Sequence, residues 1–184
     1  LNALIAYATR YGATAGTSEE IAKVLREEGF NVTVLNLKEE KVKDISSFDL
    51  VVVGSGLQMG KWVGDAEDFL KRFHQTLAQK KVALFASSMK PAMEREGKTA
   101  DLEKLRKGVL DDKATKYGLH PLSMVMFGGC VDYNKMNFIL RRGMGAIKAQ
   151  LEMDGFKENP AGVYDMRDWD EIRTWARGLA TKAR

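Results

Sequence analysis

Thr9, Tyr11, Thr14 and Thr17 place four hydroxyls within nine residues, in a stretch that also carries Gly12 and Gly16. Such a set suits the binding of a terminal phosphate monoester, whose oxygens accept hydrogen bonds from hydroxyls and backbone amides. Two other phosphate loops are excluded by residue type. A nucleoside-triphosphate loop ends in Gly-Lys-Ser/Thr, and no Lys stands between Thr9 and Ser18. A dinucleotide fingerprint needs Gly-x-Gly-x-x-Gly, whereas Gly12 and Gly16 stand alone four apart. An ordinary strand-to-helix turn accounts for the same residues, with Thr14 or Thr17 as N-cap and Thr17-x-x-Glu20 as a capping box. On spacing alone both readings stay open.

The elements on either side must hold this turn. Leu4 to Ala8 is an apolar run that reads as a buried strand, and Ile21, Val24 and Leu25 share one face of a helix with Gly29 past its end. A strand running through a Gly/Thr turn into a helix builds an anion site, because the first helical N–H groups lack partners and the helix dipole favours negative charge. Val32 to Leu37, Asp49 to Ser55, Lys81 to Ser88 and Pro121 to Gly128 read as further strands. The third is continuously apolar, as in strands covered on both faces. Helical stripes run through Ala66, Phe69, Leu70, Phe73 and Leu77, through Leu102, Leu105 and Val109, and through Met136, Ile139, Leu140, Met144, Ile147 and Leu151. Gly143 and Gly145 weaken the last of these. Lys38 to Lys43 reads as a connector, Gly54 to Gly64 as a glycine-rich loop, and the residues around Pro91 as a polar loop. A final helix starts at Asp168, with Asp168-x-x-Glu171 as a capping box. Strands alternating with helices predict an α/β fold, a three-layer sandwich around a five-stranded parallel sheet with right-handed crossovers. No repeat, low-complexity tract or linker divides the chain, so a single domain over 1–184 is expected.

Composition narrows the classes. The 184 residues are 45% hydrophobic, which predicts a globular core. No apolar run has the length of a membrane span and no signal peptide is seen; the start at Leu1 without methionine points to processing. The one cysteine, Cys130, excludes an internal disulfide and fits a reducing cytoplasm. With one Cys and two separated His, His74 and His120, no metal site is expected. Both histidines read as structural or surface residues. The net charge of +4 favours acidic partners or anionic lipid, or is a solvated lysine excess; no nucleic-acid partner is expected.

Four loops meet at the carboxyl edge of such a sheet: Thr9–Thr14, Gly56–Trp62, Ser87–Pro91 and Gly129–Tyr133. Their residues carry a resemblance. Tyr7-Ala8-Thr9-Arg10-Tyr11-Gly12-Ala13-Thr14 resembles the phosphate loop of flavodoxin-like FMN-binding proteins, closest to the branch that contains menaquinone-dependent protoporphyrinogen dehydrogenases. Gly56-Leu57-Gln58-Met59-Gly60-Lys61 resembles that family's second flavin loop, Phe127-Gly128-Gly129-Cys130-Val131-Asp132-Tyr133 the stretch after strand five, and Asp168-Trp169-Asp170-Glu171-Ile172-Arg173 its last helix. Ala15-Gly16-Thr17 looks like extra residues, leaving either Thr14 or Thr17 as the helix start, and Met89 to Lys98 diverges most.

The resemblance implies a flavodoxin-like fold with strand order 2-1-3-4-5, and FMN at the ends of strands one and three. It implies that Thr9, Arg10, Tyr11, Gly12, Ala13 and Thr14 hold the phosphate. Leu57, Met59, Trp62, Met89 and Tyr133 are then the available walls for the flavin ring, with packing onto a neighbouring helix as the alternative for each aromatic, Trp62 above all; Ser88 and Asp132 are the ring's polar partners, and Gln58, Lys61 and Gly129 lie in the same loops. Gly60 allows its peptide to reorient on reduction, since glycine accepts positive φ. Cys130 is expected near the flavin without a covalent role. Arg10, Lys61 and Lys90 outnumber Asp132 in these loops, so an anionic reduced flavin is less disfavoured than in acidic flavodoxins. No residue stands out as catalytic.

Three functions follow as alternatives. The first is an FMN-dependent oxidoreductase resembling protoporphyrinogen IX dehydrogenase (quinone), with a porphyrinogen substrate and a quinone-like acceptor. The second is an electron carrier serving a redox partner protein, with no small substrate. The third is a flavin-free interaction module. The basic, apolar stretch Lys135-Met136-Asn137-Phe138-Ile139-Leu140-Arg141-Arg142 suits either a helix packed on the sheet or one lying on lipid headgroups, so a cytoplasmic protein with peripheral membrane contact is one expectation.

Overall fold

A computed structural model describes all of residues 1–184. Five parallel strands form its centre: β1 (Asn2–Ala8), β2 (Asn31–Asn36), β3 (Leu50–Gln58), β5 (Lys81–Ser88) and β6 (Ser123–Gly128). Their order across the sheet is β2-β1-β3-β5-β6, and a two-residue strand β4 (Lys61–Trp62) turns back antiparallel on the end of β3. Counting the parallel strands alone, this is the expected 2-1-3-4-5 arrangement.

Alternation along the strands divides the core into two layers. Leu4, Ala6 and Ala8 of β1, with Val51 and Val53 of β3, pack under α2 (Gly64–Leu77). The helical segment after β5 covers the same face: α4 (Thr99–Arg106) and α5 (Asp112–Lys116), joined through a π turn at Lys107–Asp111. The extra residue of that turn leaves both Val109 and Leu110 buried. On the opposite face Ala3, Ile5, Val52, Phe85 and Phe127 pack under α1 (Ala13–Glu27) and α8 (Trp169–Ala183). Phe85 lies so flat over Gly54 that a Cβ there would stand 2.1 Å from its ring. Asp168 caps α8 by accepting from the N–H groups of Asp170 and Glu171, the expected N-terminus, while the Glu171 carboxylate pairs with Lys90 instead of closing a capping box.

Several boundaries differ from expectation. β3 runs on through Gln58, so the supposed loop from Gly54 is strand and hairpin. The residues around Pro91 form a short helix, α3 (Lys90–Arg95), with Pro91 in its first turn, where a missing N–H costs nothing. The long helix expected from Met136 is broken into α6 (Phe138–Gly143) and α7 (Gly145–Met153) at Met144, between the two glycines. Two short strands, β7 (Cys130–Asp132) and β8 (Val163–Asp165), pair antiparallel and enclose this segment. They form a third apolar cluster with Ala92, Tyr133, Met136, Leu151, Tyr164 and Met166.

Candidate functional site

At the carboxyl edge of the sheet, α1 begins sooner than the sequence implied. Its first residue is Ala13, after Gly12 at φ 96°, so neither Thr14 nor Thr17 is the N-cap. Ala15, Gly16 and Thr17 belong to the helix, and the Thr17 hydroxyl, fully buried, donates to the Ala13 carbonyl at 3.3 Å. No side chain caps α1 and its first turn carries no acidic residue, so its leading N–H groups face the loop. The Thr9 hydroxyl accepts from the Gly12 N–H at 2.9 Å and holds the turn in shape. The buried Thr14 hydroxyl lies 3.3 Å from that of Ser87 on β5, and a Cβ on Gly56 would stand 3.2 Å from it. This cradle of helical N–H groups and hydroxyls, kept open by Gly12 and Gly56, has the donor chemistry that a flavin phosphate requires.

Beside it lies a cavity of about 450 Å³. Of the residues expected at the site, Thr9, Arg10, Tyr11, Ala13, Thr14, Leu57, Gln58, Met59, Gly60, Ser88, Met89 and Gly129 line it. The hairpin at its rim turns on Met59 (φ 50°) and Gly60 (φ 73°), both left-handed, the type I′ geometry of a two-residue loop. Met59, unlike Gly60, carries a Cβ that makes this conformation uncommon, and the residue is 95% exposed. Arg10 donates to the Gln58 side chain and ties the phosphate loop to this hairpin. Ser55, below it, accepts from the Val63 N–H at 2.9 Å. The Ser88 hydroxyl donates to the Phe127 carbonyl at 3.1 Å and accepts from the Lys90 N–H at 3.1 Å, which leaves it one acceptor site for a ligand.

Five expected residues are not in the cavity wall. Gly12 is the turn residue of the phosphate loop itself, outside the cavity wall. Strand alternation in β4 sends Lys61 to solvent and turns Trp62 into the core, where the Lys113 ammonium sits 5.3 Å from its ring. Trp62 is therefore packing, not a flavin wall. Asp132 caps the turn after β7, accepting from the Asn134 N–H at 3.0 Å. Tyr133 is buried edge-on against Tyr164, with ring centroids 6.0 Å apart, and donates to the Met144 carbonyl at 3.3 Å. The β7–β8 pairing draws both residues away from the cavity. Of the cations expected to face a flavin, Arg10 lines the cavity, while Lys90 is paired with Glu171 at 2.7 Å.

The cavity wall also contains residues that were not assigned to the site: Gly56, Val63, Ser87, Met93, Leu105, Val131, Met136, Leu140, Met144, Ile147 and Met166. Leu140, Met144 and Ile147 had a signal, the i, i+4, i+7 spacing of an apolar helix face, but that pattern does not say which neighbour the face meets. Cys130 lines the cavity as a free thiol, and burial pushes its pKa up, away from the reactive thiolate. No group of side chains is arranged to hold a metal ion.

A family model described as "Flavodoxin domain" matches residues 4–157. Among curated proteins, the protoporphyrinogen IX dehydrogenase (quinone) of Escherichia coli is 22% identical over 180 residues, covering 98% of this chain and 95% of that protein. Among solved structures, rubredoxin oxygen:oxidoreductase from Desulfovibrio gigas aligns with TM-score 0.61 and 16% identity over 99% of this chain, which spans only 36% of that protein. A flavodoxin from the domain Archaea aligns with TM-score 0.57 and 15% identity, over 100% of this chain and 99% of that one. At such identities the structural likeness establishes the fold alone.

Proposed function

We propose, from the premise that this chain belongs to the flavodoxin domain family, that it is an FMN-dependent oxidoreductase. It would oxidise a large, flat, apolar substrate of the porphyrinogen class and pass the electrons to a quinone-like acceptor. Thr9, Thr14 and the start of α1 would hold the phosphate, and the walls at Leu57, Met59 and Met89 the ring. When bound, FMN supplies reversible electron exchange between an organic reductant and a quinone. In each turnover the substrate would lose two electrons and two protons, and the quinone would take them up as its hydroquinone.

The observation that carries this reading is the second wall of the cavity. Met93 of α3, Leu105 of α4, Met136, Leu140 of α6, Met144 and Ile147 of α7 give the cavity an apolar lining beyond the residues of the phosphate loop and the hairpin. Methionine side chains are flexible and make favourable contacts with aromatic faces, so this wall suits a planar substrate. The chain's own part is to bind, orient and keep water from the reacting edge; no residue in the cavity is placed as an acid or base.

The similarity to the E. coli dehydrogenase supports the same substrate class. An assay with the FMN-loaded protein, protoporphyrinogen and a quinone tests it. Saturable, FMN-dependent porphyrin formation is expected. Reoxidation of the reduced protein by quinone or by a partner protein, with no porphyrinogen consumed, would make it an electron carrier and overturn the enzyme reading.

A further inference from the structure

A phosphate monoester carries roughly 1.5 to 2 negative charges near pH 7. The phosphate loop meets that charge with neutral hydroxyls and amides, and with Arg10, whose guanidinium is directed to Gln58. A second cation reaches the loop from far along the chain. Lys135, at the end of the turn that follows β7, donates from Nζ to the Tyr11 carbonyl at 3.3 Å. A Cβ on Gly12 would stand 2.8 Å from that Nζ, so the ammonium lies directly against the backbone of the loop.

Lys135 has little competing business there. Its ion-pair partner, Asp132, is 3.8 Å away, beyond a direct hydrogen bond, and the other oxygen of that carboxylate accepts from the Asn134 N–H, so the pair is a loose one on an exposed side chain. Arg167, the other cation near the start of α1, is neutralised by Asp165, to which it donates at 2.8 and 2.7 Å. No carboxylate stands in the first turn of α1. Lys135 is thus an exposed cation against the backbone of the phosphate loop, loosely paired with Asp132 and set there by an element outside the loop.

We propose that Lys135 is a phosphate-recognition residue, and that its charge makes this site select FMN over riboflavin. The proposal rests on the FMN reading above. The competing role is a tether, holding the β7–α6 segment to the loop through the Tyr11 carbonyl. The two roles differ in what they do to a flavin without phosphate. Loss of a tether weakens both flavins alike; loss of a charge weakens FMN alone, and less so in salt.

The test is a titration of the full chain with FMN and with riboflavin, at low ionic strength and in 1 M salt, for the wild type, Lys135→Met and Lys135→Arg. Lys135→Met is expected to weaken FMN about tenfold at low ionic strength, to lose most of that effect in salt, and to leave riboflavin within about twofold. Lys135→Arg is expected to retain FMN affinity. The Lys135 side chain is 57% exposed, so the variants are expected to fold; the unfolding temperature of each apoprotein checks this. An equal fall for both flavins, or no fall for FMN, overturns the proposal while leaving wild-type FMN binding intact. A wild type that binds neither flavin overturns the FMN reading and this one with it.

Discussion

Glu67 shows how a single carboxylate can decide the packing around it. It sits in the first turn of α2 and accepts from Lys113, Lys116 and Tyr117 of the segment that covers the same sheet face. Burial pushes its pKa up, but these hydrogen bonds together outweigh burial and hold it at about 2, against an ordinary value of 4.5. A carboxylate with a depressed folded pKa contributes stability above its unfolded pKa, and the contribution fades as pH falls towards the folded one. Glu67→Gln is therefore expected to be less stable than wild type at pH 7, with the difference shrinking between about pH 4.5 and about pH 2. Urea unfolding of both proteins across that range measures it, and a constant difference would contradict the assignment. Lys113 of the same cluster also lies over Trp62, whose two sequence readings, flavin wall or packing, could not be separated: an indole beside a glycine-rich loop suits both, and only the register Leu57↔Trp62 reveals which way it points. The place of Thr9 and Thr14, by contrast, was legible, because an apolar strand running into an amphipathic helix puts the turn between them at the carboxyl edge of the sheet.

Among the elements, the segment between β6 and α8 distinguishes this chain from a bare five-stranded sandwich. It leaves the sheet at Gly129, forms β7, crosses the cavity as α6 and α7, and returns as β8. Its return is fastened at the sheet edge, where the Met166 N–H donates to the Gly129 carbonyl at 2.9 Å. A Cβ on Gly128 would stand 2.0 Å from the Met166 carbonyl oxygen, so backbone meets backbone there. Gly128→Ala is expected to displace β8 and cost about 1–3 kcal/mol, the range for overpacking. Gly178→Ala, in α8 with nothing near its Cβ position, is expected to gain up to about 1 kcal/mol through helix propensity. Chemical denaturation of the pair checks both signs. The central strands were readable because continuous apolar runs such as Leu50–Val53 leave few other choices. β7 and β8 were not, because three residues carry no period and their pairing spans more than thirty residues. The break in the following helix was half legible: Gly143 and Gly145 announced weakness, and the structure turns it into a separation at Met144.

Over the whole molecule, charge and exposed apolar surface coincide on this segment. The chain carries a net +4, and Phe138 and Ile139 of α6 are 76% and 82% exposed, next to Arg141 and Arg142. Leu140 and Ile147, close by in sequence, line the cavity, so this surface lies beside the site. No helix is long and apolar enough to cross a membrane. The expectation of peripheral membrane contact at this stretch predicts co-sedimentation with vesicles containing anionic lipid, weakened by salt and by Phe138→Ser with Ile139→Ser. Sedimentation independent of anionic lipid would remove the membrane from the account and leave the flavin site untouched. The central claim is the cofactor itself, and the most direct measurement is the visible spectrum of the purified protein, with FMN added if it is colourless. A flavin spectrum is predicted, with FMN and not FAD released on denaturation. A colourless protein that leaves FMN fluorescence unquenched on titration would contradict it, and would mean that this chain keeps the flavodoxin fold without its flavin.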